Sequence, residues 1–400
     1  MLTAIAALTL AAAPVPPAAV AVAFDREGHI ETRVVEGAAD RDAGRLLTAD
    51  DPVRIASISK LVVALGVMRL VEAGTLDLDR DVSDYLGWRL RAPGHPDAPV
   101  TLTQLLGHRA GLTDNIDYAL PLGTDLERVL RNPAAWDIAR PPGSDFAYAN
   151  LNYPVVAAVI EAATGERFDR AMARLVLEPL KLDACFNWTT CGDGAVARAV
   201  VLYGADGSVQ RDDLKGRLPA CPAVPAADGS CDLTTYRLGR HGAGFSPQGG
   251  LRISANGLAR IGVMFLRRGG GFLKPQSLVR LEALAPVHPT SGEGTGGFFC
   301  EYGLAMHSNG GPALADPACR DDLFGDGRLR LGHSGDAYGL RSGLWFDLER
   351  GQGIAYFVTQ VPEGQKGKRS AYSAAEEELV DKARAGHPDA SPLASPAGAH

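Results

Sequence analysis

The pattern of apolar and polar residues near the start of the chain predicts a β-hairpin. Residues 18–24 are almost entirely apolar, a short polar turn containing Gly28 follows, and residues 30–35 are typical of a returning strand. We therefore expect the fold to begin with two antiparallel strands.

The middle of the chain carries helical patterns instead. From residue 57 to 73, apolar residues recur at steps of three and four. Thr101 and Gln104 have the spacing of a capping box at the start of a short helix. Residues 153–163 and 166–177 predict two further helices. These patterns indicate an all-helical lobe over about residues 75–245.

The last third of the chain returns to strands. Residues 328–332, 340–348 and 353–360 are strand-like, and residues 372–385 predict a closing helix. Three C-terminal strands beside the N-terminal hairpin give an antiparallel sheet flanked by helices, an α+β sandwich. We expect one catalytic domain over residues 17–362, followed by residues 363–400 with the closing helix and a disordered tail.

An apolar, alanine-rich run over residues 2–13 precedes the predicted fold. It resembles the hydrophobic core of a signal peptide, although no basic residue stands before it. The run is too short to span a bilayer. We expect a signal segment over residues 1–13, no stable membrane span, and export to the periplasm or the outside of the cell.

Six cysteines fall in three local pairs within the irregular second half of the chain. Four of them lie in residues 183–245, which are rich in loop-forming residues and predict an insertion. Zinc ligation is the alternative to disulfides, but the spacing lacks C-x-x-C and H-x-x-x-H pairs. We expect sequential disulfides, which fit an oxidising compartment. The cysteines are Cys185, Cys191, Cys221, Cys231, Cys300 and Cys319.

Composition indicates an ordinary globular protein with a sizeable core. Apolar residues make up 46% of the 400 residues, and the formal net charge is −7. No basic patch indicates nucleic acid as a partner.

Only seven of the 40 basic residues are lysine, so Lys60 needs an explanation. A desolvated lysine can act as a base near neutral pH and arginine cannot, whereas the alternative is an ordinary surface lysine.

Ser57 and Lys60 form an S-x-x-K element at the start of the predicted helix. Residues three positions apart share a helix face, so the hydroxyl and the amine can meet. The positive end of the helix stabilises negative charge on the serine, and burial lowers the pKa of the lysine. The alternative is a serine that only caps the helix.

Tyr148 and Asn150 form the one Y-x-N triplet of the chain. The alternative for this triplet is a purely structural pair.

In their order along the chain, these motifs resemble those of the serine β-lactamase and penicillin-binding family. The likeness is greatest to its class C, D-alanyl-peptidase and esterase-like branch, and it covers about residues 17–362 without the cysteine-bearing insertions. The segments that carry it are RIASISK (54–60), LVEAG (70–74), LDLD (76–79), LLGHRAGL (105–112), PGSDFAYAN (142–150), GGLRIS (249–254) and GHSG (332–335).

The resemblance implies a role for each motif residue. Ser57 is the acylated nucleophile, Lys60 and Tyr148 relay its proton, and Asn150 holds the amide carbonyl of the substrate. His333 stands where most relatives have lysine, so a permanent charge becomes one that titrates near pH 6.5 and supports Tyr148. The rest of this segment, Ser334, Gly335 and Asp336, binds substrate, and the backbone N–H groups of Ser57 and Asp336 form an oxyanion hole.

These roles predict a serine hydrolase that attacks an amide or ester carbonyl of a small-molecule or peptide substrate. No metal or organic cofactor is required. Because His333 replaces a fixed cation, we expect poor hydrolysis of β-lactams. The alternative is a catalytically silent relative that binds cell-wall peptide or a protein partner.

Overall fold

The computed structural model describes residues 16–287 and 296–385. The predicted signal segment and the predicted disordered tail lie outside the described residues. The β-strands in chain order are β1 (Ala19–Asp25), β2 (Ile30–Glu36), β3 (Ala38–Asp40), β4 (Arg45–Leu46), β5 (Val53–Arg54), β6 (Cys185–Phe186), β7 (Leu202–Tyr203), β8 (Val209–Arg211), β9 (Leu251–Ile253), β10 (Ala285–Pro286), β11 (Glu301–Tyr302), β12 (His307–Asn309), β13 (Arg330–Ala337), β14 (Leu340–Asp347) and β15 (Gln352–Val358). The α-helices are α1 (Ile58–Glu72), α2 (Ser83–Leu86), α3 (Leu102–Leu106), α4 (Leu126–Leu130), α5 (Asn152–Thr164), α6 (Phe168–Met172), α7 (Asp193–Ala197), α8 (Ala255–Leu266), α9 (Pro275–Glu282) and α10 (Ala374–Arg384).

Eight strands form one antiparallel sheet in the order β10-β11-β12-β13-β14-β15-β1-β2. The predicted N-terminal hairpin is β1 with β2, and it joins the C-terminal strands through pairing of β1 with β15. At the end of that pairing the backbone N–H of Ala18 donates to Thr359 Oγ1 at 3.0 Å. The predicted α+β class and antiparallel sheet are therefore confirmed.

Helices cover both faces of this sheet. Helix α8 packs against β1, β14 and β15, whereas α10 packs against β1, β2 and β15. Alternate residues of β1 accordingly enter two different cores, Val20 and Val22 on one side and Ala19 and Ala21 on the other. Burial of both faces explains why β1 is a continuous apolar run. The predicted domain division at residue 362 stays a prediction.

The helices predicted for the middle of the chain are present. Helix α5 packs against α2, α3 and α6, and Thr101 and Gln104 form the expected capping box of α3. The helix predicted over residues 166–177 is wrong in detail, because it consists of α6 followed by a π-helical turn over Ala173–Leu177. Helix α1 is buried on nearly all sides, so it carries the nucleophile motif on a rigid support.

Strand β13 differs from the prediction, which ended it at Gly332. The strand continues through Ala337, so the predicted site residues 333–336 lie inside it. The pattern misled because this part of the strand needs small residues. A Cβ on Gly335 would lie 2.3 Å from the carbonyl oxygen of Ile55 and 2.4 Å from Ser342 Oγ.

The cysteines pair in sequential order, as Cys185–Cys191, Cys221–Cys231 and Cys300–Cys319. Since all six sulfur atoms are in disulfides, the zinc alternative is wrong. The first two bridges lie in residues 183–245, where loops connect the short elements β6, α7, β7 and β8. Within the described residues, none of the helices has the length and apolar character needed to cross a lipid bilayer.

Removal of the Cys300–Cys319 bridge is expected to lower the free energy of unfolding by about 3 kcal/mol, because the closed loop of this length restricts the unfolded chain. The bridge spans 19 positions of sequence and encloses β11 and β12. Denaturant unfolding of the double variant Cys300→Ser, Cys319→Ser measures the loss. An unchanged unfolding midpoint would show that the bridge contributes nothing.

Candidate active site

Ser57 lies immediately before α1, in an open cleft of about 1260 Å³. The preceding residue, Ala56, has a positive φ of 50° and turns the chain sharply from β5 into the helix. The Ser57 hydroxyl does not cap the helix, so the interpretation of Ser57 as a simple cap is wrong. Its side chain is partly exposed and can meet a ligand in the cleft.

Lys60 is fully buried one turn further along α1. Its Nζ lies 2.9 Å from Ser57 Oγ, 2.8 Å from Asn150 Oδ1 and 2.8 Å from the carbonyl oxygen of Gln248. Burial lowers the pKa of Lys60 to about 7, although the charge of Asp114 acts in the opposite direction. The alternative of an exposed surface lysine is therefore wrong, and a sizeable fraction of the amine is neutral at neutral pH.

Tyr148 comes from the helical lobe and reaches the same place. The centroid of its ring lies 5.0 Å from Lys60 Nζ. The ring is stacked between His108, at 4.2 Å, and Phe299, at 5.0 Å. Burial raises the pKa of Tyr148 well above its usual range, and a hydrogen bond with the Ser57 side chain acts against that rise. The three residues predicted to share a proton are thus within contact distance.

Asn150 is held by Asp114, a residue that none of the sequence motifs identified. One carboxylate oxygen of Asp114 accepts from the backbone N–H and the Nδ2 of Asn150, at 2.8 and 2.9 Å, and the other accepts from the N–H of Leu151 at 3.0 Å. These bonds fix the amide so that its oxygen faces Lys60. One Nδ2 proton then remains for a substrate carbonyl.

His108, which lies in a motif segment without an assigned role, holds the loop that carries Tyr148. Its Nδ1 accepts from the N–H of Ala149 at 3.1 Å, and its carbonyl oxygen accepts from the N–H of Ala147 at 2.8 Å. Burial lowers the pKa of His108 well below its usual range, so the ring is neutral. The side chain therefore positions the Tyr148 loop.

His333 is fully buried in β13, and the expectation that it titrates near pH 6.5 is wrong. Burial, together with the neighbouring His307, lowers its pKa well below the usual range. Its Nδ1 faces the carbonyl oxygen of Ser334, which can only accept, so the neutral ring accepts at Nε2 from the Tyr302 hydroxyl at 3.1 Å. His333 therefore contacts Tyr302, whose ring centroid lies 6.4 Å from that of Tyr148.

The remaining residues of this segment lie along the wall of the cleft. Ser334 is buried, and both its N–H and its hydroxyl lie 3.3 Å from Nε2 of His307. Gly335 brings the strand against the nucleophile, since a Cβ there would lie 3.2 Å from the Ser57 nitrogen. The side chain of Asp336 is exposed and pairs with Arg341.

Sequence reasoning missed two buried aromatic residues behind the site, Tyr302 and His307. Both are fully or almost fully buried on β11 and β12. Their two-residue and three-residue strands have no readable periodicity, so the pattern gave no signal for them. The contact of Lys60 with the Gln248 carbonyl was also missed, because a backbone acceptor has no side-chain signature.

Residues 183–245 form part of the cleft wall. Positions 211–214 and 217–225 line it together with the residues that follow β13. The Cys221–Cys231 bridge lies in the same insertion, and Cys221 itself lines the cleft. The insertion therefore shapes the space next to Ser57.

The fold and the site together define an α+β protein with a serine and a buried lysine one helical turn apart at a cleft between a sheet and a helical lobe. The family model described as Beta-lactamase matches residues 8–379. The chain belongs to the beta-lactamase family, which confirms the resemblance that the motifs indicated.

Two curated relatives match the chain over part of its length. Esterase EstB of Burkholderia gladioli is 36% identical over 178 residues, which are 40% of this chain and 44% of the relative. Penicillin-binding protein 4 of Amycolatopsis lactamdurans is 31% identical over 171 residues, which are 42% of this chain and 44% of the relative. The matched part thus spans less than half the length of each relative.

Solved structures show the same fold at low sequence identity. The D-amino acid amidase from Ochrobactrum anthropi SV3, complexed with L-phenylalanine amide, is 18% identical, with a TM-score of 0.64 and 92% of each chain covered. The octameric penicillin-binding protein homologue from Pyrococcus abyssi is 20% identical, with a TM-score of 0.62, and the match covers 92% of this chain and 72% of that one.

Proposed function

We propose that the protein is a serine hydrolase that cleaves an amide or ester bond through an acyl intermediate on Ser57. The observation that carries the proposal is the 2.9 Å contact between Ser57 Oγ and the buried Lys60 amine. The names of the relatives, which include an esterase, a penicillin-binding protein and an amidase, agree with attack on ester or amide carbonyls of small molecules or peptides.

Lys60 is the proposed general base for the attack. Its other two contacts, the oxygens of Asn150 and Gln248, can only accept hydrogen bonds. A neutral amine directs its two protons to those oxygens, and its lone pair then faces the Ser57 hydroxyl. The proton of Ser57 passes to this lone pair while Oγ forms the bond to the carbonyl carbon.

Tyr148 is the proposed acid towards the leaving group. Its high pKa keeps the phenol protonated at neutral pH, so it can donate when the bond to the leaving group breaks. We assign Asn150 to the carbonyl of the substrate amide and the backbone N–H groups of Ser57 and Asp336 to the oxyanion. His333 acts as a positioning residue within β13, and Ser334 and Gly335 stay assigned to substrate binding along the cleft wall. In deacylation the Tyr148 phenolate takes a proton from water as the water attacks the acyl carbon, and Ser57 Oγ leaves with the proton that Lys60 holds.

The test is intact mass spectrometry after exposure to a fluorophosphonate, a penicillin and a series of aryl esters. We expect an adduct of the mass of each reactive acyl or phosphonyl group on the peptide that contains Ser57. The alternative, a silent relative that binds cell-wall peptide or a protein partner, predicts no adduct with any probe.

We also propose export to the periplasm or the cell exterior, in agreement with the three disulfides.

The pH dependence of kcat/KM is expected to reflect Lys60. Because the neutral amine is the base, the rate falls about tenfold per pH unit below the Lys60 pKa and levels off above it. The midpoint is expected at about 7. A pH profile with a neutral ester measures it.

Asp114→Asn provides the matched variant for this profile. Since the carboxylate of Asp114 raises the pKa of Lys60, its removal is expected to shift the midpoint to lower pH. An unchanged midpoint in the variant would contradict the assignment of the acidic limb to Lys60.

A further inference from the structure

Two arginines line the cleft beside the proposed nucleophile. Arg54 ends β5, three residues before Ser57, and Arg211 ends β8 in the insertion. Both guanidinium groups lie against the ring of Tyr338, with Cζ at 5.1 and 4.7 Å from its centroid. A single aromatic ring therefore holds two cations together at one place in the wall.

Neither arginine has a carboxylate partner among the described residues. The nearby acid, Asp212, is already engaged by Arg252 through two hydrogen bonds, at 2.8 and 3.1 Å, and by the Trp188 indole at 3.0 Å. The Nε of Arg54 is buried and, within the described part of the chain, has no hydrogen-bond partner. The cluster of Arg54, Arg211, Arg252 and Asp212 thus has two positive charges in excess.

The lowered pKa of Arg54 agrees with this excess of positive charge. Burial and the charge of Arg252 lower its pKa to about 10, and the charge of Arg211 acts in the same direction. Two guanidinium groups that lie against the same ring repel each other. An anion with two oxygens matches the donors that such a pair presents.

The position of Arg54 and Arg211 relative to β13 indicates which part of the substrate they meet. Tyr148, the proposed proton donor to the leaving group, lies towards the His333 end, since Tyr302 contacts both residues. Tyr338 follows the opposite end of the strand. His333 and Ala337 are four positions apart on the strand, a distance of about 13 Å. The arginines therefore lie on the side of the acyl group and away from the leaving group.

We propose that Arg54 and Arg211 bind a carboxylate on the acyl part of the substrate, so that the enzyme prefers acidic acyl groups. This proposal rests on the proposed hydrolase function. It gives the insertion a chemical role, because the insertion supplies one of the two cations. It also places the cation for substrate capture away from His333, which is buried and neutral.

The test compares two esters that differ in one charge. Mono-4-nitrophenyl adipate carries a free carboxylate on the acyl chain, and its methyl ester has the same chain length and leaving group without the charge. We expect the wild type to favour the acid in kcat/KM by about tenfold or more at low salt, as for a charge-assisted hydrogen bond. The hexanoyl ester of 4-hydroxybenzoate places the carboxylate on the leaving group instead.

Variants of the two arginines then show whether these residues cause the preference for the acid. The ratio of acid to methyl ester is expected to fall about tenfold in Arg54→Gln and in Arg211→Gln, and using the ratio cancels any general damage to the enzyme. Arg217→Gln is the matched control, because Arg217 is an exposed arginine of the same insertion that lines the same cleft. Its ratio is expected to stay within about twofold of wild type.

Three results would overturn the inference while leaving the hydrolase in place. They are equal turnover of the acid and methyl esters, a preference for the carboxylate only on the leaving group, and an equal loss in Arg217→Gln. If no ester is turned over, the proposed function fails, and binding decides the inference separately. In that case Ser57→Ala is titrated with the 4-nitroanilides of adipate and methyl adipate. At least about tenfold tighter binding of the acid, lost on adding Arg211→Gln, supports the site, and equal binding refutes it.

Discussion

Ser57→Ala is expected to lower kcat/KM for aryl esters by about four orders of magnitude or more, because loss of a covalent nucleophile removes the whole acylation route. The variant should still fold, since the Ser57 side chain is partly exposed and does not cap α1. Rates are measured by release of 4-nitrophenol, and the acyl adduct by intact mass.

Ser59→Ala is the matched control for this variant. Ser59 lies on the same peptide, but its hydroxyl donates to the Ala56 carbonyl and accepts from the N–H of Leu251, away from Lys60. The control is expected to retain the adduct. An adduct that persists in Ser57→Ala and disappears in Ser59→Ala would assign the nucleophile to the other serine of the motif.

Lys60→Met is expected to lower the rate of acylation by about a thousandfold, within the range ascribed to positioned general bases. Methionine has a similar length and no proton to exchange, so Ser57 Oγ loses its acceptor. Lys60→Arg is expected to be equally impaired, because a guanidinium stays charged at neutral pH. Stopped-flow measurement of adduct formation separates this step from release of the acyl group.

Two controls show whether that loss comes from removal of the base or from damage to the fold. Lys181→Met removes an exposed lysine from the same chain and is expected to acylate at the wild-type rate. Thermal unfolding of both Lys60 variants reports whether the buried site is intact. A folded Lys60→Met protein that acylates within tenfold of wild type would exclude Lys60 as the base.

Local pattern was sufficient for the parts of the site that lie close together in sequence. Ser57 and Lys60 are one helical turn apart, so helix periodicity alone places them side by side. The capping box at Thr101 and the sequential disulfides are equally local. Tyr148 required more, because only its resemblance to a family motif connected it with a helix about ninety residues earlier.

The contacts that could not be predicted depend on tertiary packing. Asp114 lies in a loop and acts through backbone N–H groups of residues 150 and 151, which no side-chain pattern reveals. The neutral state of His333 follows from burial behind Tyr302 and His307, and those residues lie on strands too short to show a period. The pairing of Arg54 with Arg211 required the path of the insertion.

The pairing of β1 with β15 has a consequence for how the protein reaches its native state. Ala18 and Thr359, which close that pairing, are separated by 341 positions of sequence, so the centre of the sheet cannot form during synthesis until the segment that contains β15 has left the ribosome. Until then the hairpin of β1 and β2 has an open apolar edge, which is prone to aggregation. Folding is therefore expected to be slow, with the helical lobe forming first from contacts near in sequence.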